Sequence, residues 1–129
     1  MKEINSIEAL EFSIGGYFAD YSYEINVKGN TASFAKHEMP RGMDGWSEVQ
    51  LDEAQLGTFI SALNDVGVLK WKKSYDDPGM LDGTQWELKI KYNEDAKLKC
   101  YGSNDYPTAF DRLTQALAKL IQRPGFFEE

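Results

Sequence analysis

Cysteine and histidine each occur once, at Cys100 and His37. A single thiol forms no intrachain disulfide, and one thiol with one imidazole cannot build a Cys/His zinc centre within one chain. No run of about 20 apolar residues occurs, which argues against a transmembrane helix. Met1 to Ser6 lacks the apolar stretch of a secretory signal, so a cytoplasmic location is expected and no membrane partner. The chain contains no phosphate-cradling G-x-x-x-x-G-K-[ST], no G-x-G-x-x-G after a strand, no H-E-x-x-H and no G-x-S-x-G. These absences remove the readily recognised nucleotide-binding, zinc-protease and hydrolase classes, and no cofactor is implied. Positive charge is also scarce. Fourteen Lys and Arg against 21 Asp and Glu leave a net charge of −7, which disfavours general attraction to phosphate backbones and anionic lipid while leaving room for a local basic patch.

The composition that remains, 42% hydrophobic and 27% charged over 129 residues, is that of a globular protein and fits one domain spanning 1–129. Leu10, Phe12 and Ile14 alternate with polar residues before Gly15-Gly16 and predict a short strand. Tyr21, Tyr23, Ile25 and Val27 predict a half-buried strand, Gly29-Asn30 a two-residue hairpin turn, and Thr31 to His37 a returning strand with Ala32 and Phe34 inward. Residues 39–45 read as an exposed loop, with a further strand over Trp46 to Gln50. Asp52 and Gln55 form a capping-box pattern, Leu51 and Leu56 a hydrophobic staple, and Leu56, Phe59, Ile60 and Leu63 the apolar stripe of a helix that Gly67 stops.

Trp86, Leu88, Ile90 and Tyr92 alternate with charged residues, Asn93-Glu94-Asp95 turns the chain, and Ala96, Leu98 and Cys100 face inward on the return. A second helix is expected to open at Pro107, to bury Phe110, Leu113, Leu117, Leu120 and Ile121, and to end at Pro124-Gly125. The segregation of hairpins from helices predicts an α+β fold, an antiparallel sheet of five to seven strands with two amphipathic helices on one face. Both halves run hairpin, loop, helix. That parallel is compatible with an internal ββα duplication, which the identity between the halves is too low to demonstrate.

Several clusters invite a chemical reading. Lys89, Lys91, Lys97 and Lys99 should share an outward face with Tyr101, an arrangement able to meet nucleic acid. Period-two lysines are equally the mark of a solvated face, and the acidic total, with Glu87, Glu94 and Asp95 nearby, favours that reading. Asp76, Asp77 and Asp82 around Pro78-Gly79 lack the spacing of a calcium loop and read as turns. Cys100 falls on the inward side of its strand, where a thiol is ordinarily an inert apolar group, and His37 ends a strand and reads as solvated.

The densest stretch lies between Trp71 and Phe110, where rings alternate with Gly, Asn, Asp and Pro. Tyr101-Gly102-Ser103-Asn104-Asp105-Tyr106-Pro107 joins a strand to a helix start, where backbone N–H groups can receive an anion or polar ligand. Trp71, Tyr75 and Trp86 could wall such a pocket. In the plainer reading Gly102 supplies an unusual backbone angle, Asn104 or Asp105 bonds the turn, and the rings fill the core.

The runs Trp71-x-x-x-Tyr75, Asp82-Gly83-Thr84-Gln85-Trp86-x-Leu88-x-Ile90 and Tyr101-Gly102-Ser103-Asn104-x-Tyr106-Pro107-x-x-Phe110 resemble a pattern of small bacterial proteins without an assigned biochemical role. The resemblance covers the C-terminal half, implies a compact domain of bacterial or phage origin, and implies no activity. The expectation is a non-enzymatic cytosolic domain that binds a protein or small ligand through Trp71, Tyr75, Asp82, Ser103, Asn104 and Tyr106. The rivals are an enzyme with its site at the Gly102 to Tyr106 loop, and nucleic-acid binding by the lysine face. A free sheet edge would also suit homodimerisation.

Overall fold

The computed structural model describes residues 3–16, 21–38, 42–43, 46–76, 84–103, 105–123 and 126. Among these residues eight strands form one sheet: β1 (Ile7–Gly16), β2 (Tyr21–Lys28), β3 (Thr31–Glu38), β4 (Gly42–Met43), β5 (Ser47–Gln50), β6 (Ser74–Asp76), β7 (Thr84–Tyr92) and β8 (Ala96–Ser103). Their order is β4-β3-β2-β1-β7-β8-β6, with β5 also pairing β3. Helix α1 (Glu53–Val66) is followed by a 3₁₀ turn (Val68–Lys70), and α2 (Phe110–Leu120) comes last. The α+β architecture expected from the segregated hairpins is what forms. None of the described helices is long and apolar enough to cross a membrane.

Strand alternation sorts most of the residues, Ala35 being buried on the other face of β3. Leu10, Phe12, Ile25, Val27, Ala32, Phe34, Trp86, Leu88, Ile90 and Cys100 all lie buried on one face, where Phe59 and Leu63 of α1 and Leu113 and Leu117 of α2 join them in one cluster. Asp52 caps α1 through a capping box with Gln55: its carboxylate accepts the Gln55 N–H at 2.7 Å, and the Gln55 side chain accepts the Asp52 N–H at 2.9 Å. Gly67 closes the helix with φ +82°, a left-handed conformation that a Cβ would strain. Each of these elements is placed where the periodicity predicts.

The sheet holds eight described strands where five to seven are expected, and three further features differ from expectation. First, β6 runs parallel to β8, Tyr75 standing opposite Gly102, so the sheet is mixed at that edge rather than purely antiparallel. Second, β1 is a ten-residue strand at the centre of the sheet, paired antiparallel with β2 on one side and β7 on the other. Third, the halves are not copies in space. β2 and β7 are both antiparallel to β1 and so point the same way, yet β3 lies to one side of its partner and β8 to the other, while both helices cover the same face. The two hairpin–helix runs are therefore of opposite hand and do not superpose, which removes the internal duplication.

A clamp that the periodicity does not announce holds the segment before β1. Asn64 of α1 accepts the Ile4 N–H and donates to the Ile4 carbonyl, both at 2.9 Å. Asn93, in the β7–β8 turn, accepts the N–H groups of Asn5 (2.8 Å) and Ser6 (3.1 Å) and donates to the Glu3 carbonyl (2.9 Å). Between these two asparagines Ile4 is held at 1% exposure in the core. Asn93 also sits at φ +50°, a conformation asparagine tolerates better than most side chains. Asn93→Ala is expected to cost roughly 2 kcal/mol, the sum of solvent-accessible hydrogen bonds worth about 0.5–1 kcal/mol each and a less tolerant turn residue. Urea unfolding would measure the loss, and hydrogen exchange should quicken first at Asn5 and Ser6.

Candidate functional site

The candidate residues divide between core, surface and the undescribed segments. Trp71 and Tyr75 are half-buried and turn inward, with Trp71 edge-on to the buried Trp86 (centroids 6.1 Å, 78°) and stacked near Phe110 (6.2 Å, 27°). Tyr75 lies 6.0 Å from Trp86, and its hydroxyl accepts the Lys72 N–H at 2.9 Å. Trp86 and Phe110 are themselves 4.9 Å apart. These rings form one packed aromatic group against the core.

Ser103 alternates onto the opposite face of β8 from Gly102, away from those rings. Asp82 and Asn104 lie outside the described residues, as do Pro78-Gly79, Pro124-Gly125 and most of the 39–45 loop; His37 has its backbone in β3, its side chain undescribed. Of the polar candidates Asp82, Ser103, Asn104 and Tyr106, only Ser103 and Tyr106 are described, and no hydrogen bond joins them.

Tyr106 stays at the surface. The residue is 41% exposed and its ring rests on Phe110 at 4.9 Å, beside a shallow depression of about 360 Å³ lined by Ile14, Tyr106, Pro107, Phe110 and Thr114. The turn before it is closed by Asp105, whose carboxylate accepts the Tyr106 N–H at 3.0 Å and whose carbonyl accepts the indole Nε1–H of Trp86 at 2.9 Å. Asp105 thus bonds the turn as expected.

The role of Gly102 differs from expectation. Its φ is not in the left-handed region, so no special backbone angle calls for glycine there. A Cβ at this position would stand 2.7 Å from the Asp105 carbonyl oxygen and nearer still to Trp86 Nε1. Glycine is required because the indole lies flush against the backbone.

Helix α2 does not open at Pro107. The Pro107 carbonyl accepts the Phe110 N–H at 3.2 Å in a turn, and the helix begins at Phe110 behind Ala109, which sits at φ +68° with no side-chain cap. Ala109→Gly should stabilise the protein by about 1 kcal/mol by relieving the left-handed alanine, raising Tm by about 3 °C in a chain of this size. An unchanged or lowered Tm in a thermal scan would contradict that expectation.

Cys100 is fully buried, and desolvation raises its thiol pKa above the ordinary 9.0. It remains a protonated apolar group at neutral pH. Among the described residues no group of three or more His, Cys, Asp or Glu side chains could hold a metal ion.

The lysines are placed as alternation predicts. Lys89 and Lys91 of β7 and Lys97 and Lys99 of β8 share the face that neither described helix covers, and Lys89 pairs with Glu87 at 3.2 Å. No family model matches the chain, and no match to a curated protein was found.

Proposed function

We propose that this chain is a non-enzymatic cytoplasmic interaction domain that binds a protein or a small ligand at the surface carried by Tyr106. The observation that supports the reading is the exposed Tyr106 ring, seated on Phe110 beside the depression that Ile14, Pro107 and Thr114 line. An aromatic side chain held on a packed support and left open to solvent has the character of an interface anchor, because its orientation is prepaid before binding. The net charge of −7 favours a basic partner. The resemblance to small bacterial proteins belongs to the same reading as a kinship of fold, since the described residues of that pattern mostly pack the core. Homodimerisation through a sheet edge is a further arrangement compatible with it.

Affinity purification from native cells, comparing the unaltered chain with Tyr106→Ala, tests the proposal. The variant should lose the bound protein or metabolite while staying folded, its stability falling by about 0.5–1.5 kcal/mol for the lost contact with Phe110. An unchanged set of bound molecules would make Tyr106 a structural residue and overturn the reading.

A further inference from the structure

The uncovered face of β7 and β8 carries like charges in opposition: Lys89 stands opposite Lys99 and Lys91 opposite Lys97. Directly opposed like charges weaken an antiparallel pair, and a face selected for solubility alone intersperses the two signs. Here Lys91, Lys97 and Lys99 have no ion-pair partner among the described residues, while Lys89 has Glu87 beside it and Glu11 opposite it on β1. Ala9 is the neighbour of Lys91 on β1, and this small side chain leaves a shallow depression of about 360 Å³ rimmed by all four lysines. Tyr101 is 44% exposed and lies two residues beyond Lys99 on the same face. Lys70, Lys72 and Lys73 lead into β6, the strand next to β8, so seven of the eleven lysines fall between residues 70 and 99.

We propose that the open face of β7 and β8 binds single-stranded nucleic acid, with Lys91, Lys97 and Lys99 neutralising phosphates and Tyr101 stacking on a base. An acidic protein surface is the other anionic partner, and the residue types speak against it. Protein interfaces are depleted in lysine and enriched in arginine and apolar anchors, whereas a phosphate needs only a point charge. The four-lysine depression has no arginine in its lining. A duplex hides the base faces that an exposed ring could cover, and an unpaired strand offers them. The carboxylates of Glu11, Glu87, Glu94 and Asp95 border the surface and hold the affinity down, so binding is salt-sensitive and modest.

Fluorescence anisotropy of labelled oligo-dT and oligo-rU of about 20 nucleotides, titrated with the full chain, tests this. With three to four phosphates neutralised, affinity should fall roughly 20- to 50-fold between 50 and 200 mM salt. Tyr101→Ala should weaken binding at least about five-fold, and replacing Lys89, Lys91, Lys97 and Lys99 together by Ser should abolish it with no loss of Tm. Absence of binding by the unaltered chain at 50 mM salt, equal binding of a duplex, or equal binding by the four-lysine variant overturns the proposal. Equal affinity for a poly-glutamate peptide overturns it in favour of an acidic protein partner. Should the four-lysine variant fail to fold, oligonucleotide-induced amide shifts in the unaltered chain decide: they are expected on β7 and β8, and shifts confined to α1 and α2 overturn the assignment.

Discussion

Gly102→Ala should remove about 2–4 kcal/mol of stability, although the change adds one methyl group and leaves every polar group in place. The methyl would enter the space held by the Trp86 indole and the Asp105 carbonyl. Trp86 is only 2% exposed and is enclosed by Trp71, Tyr75 and Phe110, so it has no room to swing aside. Overpacking of this kind costs about 1–3 kcal/mol. Displacing the indole also breaks the bond from Nε1–H to the Asp105 carbonyl, adding roughly another 1 kcal/mol. Urea unfolding of the two proteins would measure the difference. A loss below about 0.5 kcal/mol would mean that the strand and the indole separate freely, contrary to the packing.

Trp86→Ala is expected to cost more, about 3–5 kcal/mol, the range for emptying a buried large aromatic site. Against a typical total of about 5–15 kcal/mol, that leaves the protein marginal at 37 °C. Trp86→Phe separates the ring from its N–H: it should cost about 1–2 kcal/mol, mostly by stranding the Asp105 carbonyl and loosening the turn that carries Tyr106. The two sites are coupled because they compete for one volume. In a Trp86→Ala background the additional Gly102→Ala change should cost less, since the methyl then meets only the Asp105 carbonyl. A double-mutant cycle would therefore give an interaction energy of about 1 kcal/mol or more, and strict additivity would disprove the contact.

These effects bear on what the residue pattern conveys. Hairpins and helices are legible because they depend on local alternation: Tyr23-Ile25-Val27, Trp86-Leu88-Ile90 and Phe59-Leu63 each show a face, and Asp52 and Gln55 announce a cap. The position of β1 between β2 and β7 is set by pairing across the whole chain, and no local period encodes it. The same limit hides the parallel edge at β6, whose three residues carry no alternation of their own, and the Asn64–Asn93 clamp on Ile4.

The candidate site shows a different ambiguity. Trp71, Tyr75 and Tyr106 are alike in type, and only the packing distinguishes the two half-buried rings grouped around Trp86 from the one left at the surface. Gly102 was legible as important but not for its reason: a close approach and a special backbone angle leave the same letter in the sequence. The lysine alternation gives the face, whereas the register that opposes lysine to lysine is visible only once β7 and β8 are paired.

The central place of β1 has a consequence during synthesis. Its partners on β7 lie between 68 residues away, for Gly16 with Thr84, and 85 residues away, for Ile7 with Tyr92. On a ribosome adding about 5–20 residues per second, β1 can pair with β2 at once, yet its other edge waits several seconds for β7 to be made. Through that interval the apolar residues Leu10 and Phe12 stand on a strand with an unfilled row of backbone donors and acceptors, the arrangement most prone to pair with a neighbouring nascent chain. Yield in the cell should thus depend on the speed with which residues 17–83 are translated, independently of the stability of the finished fold.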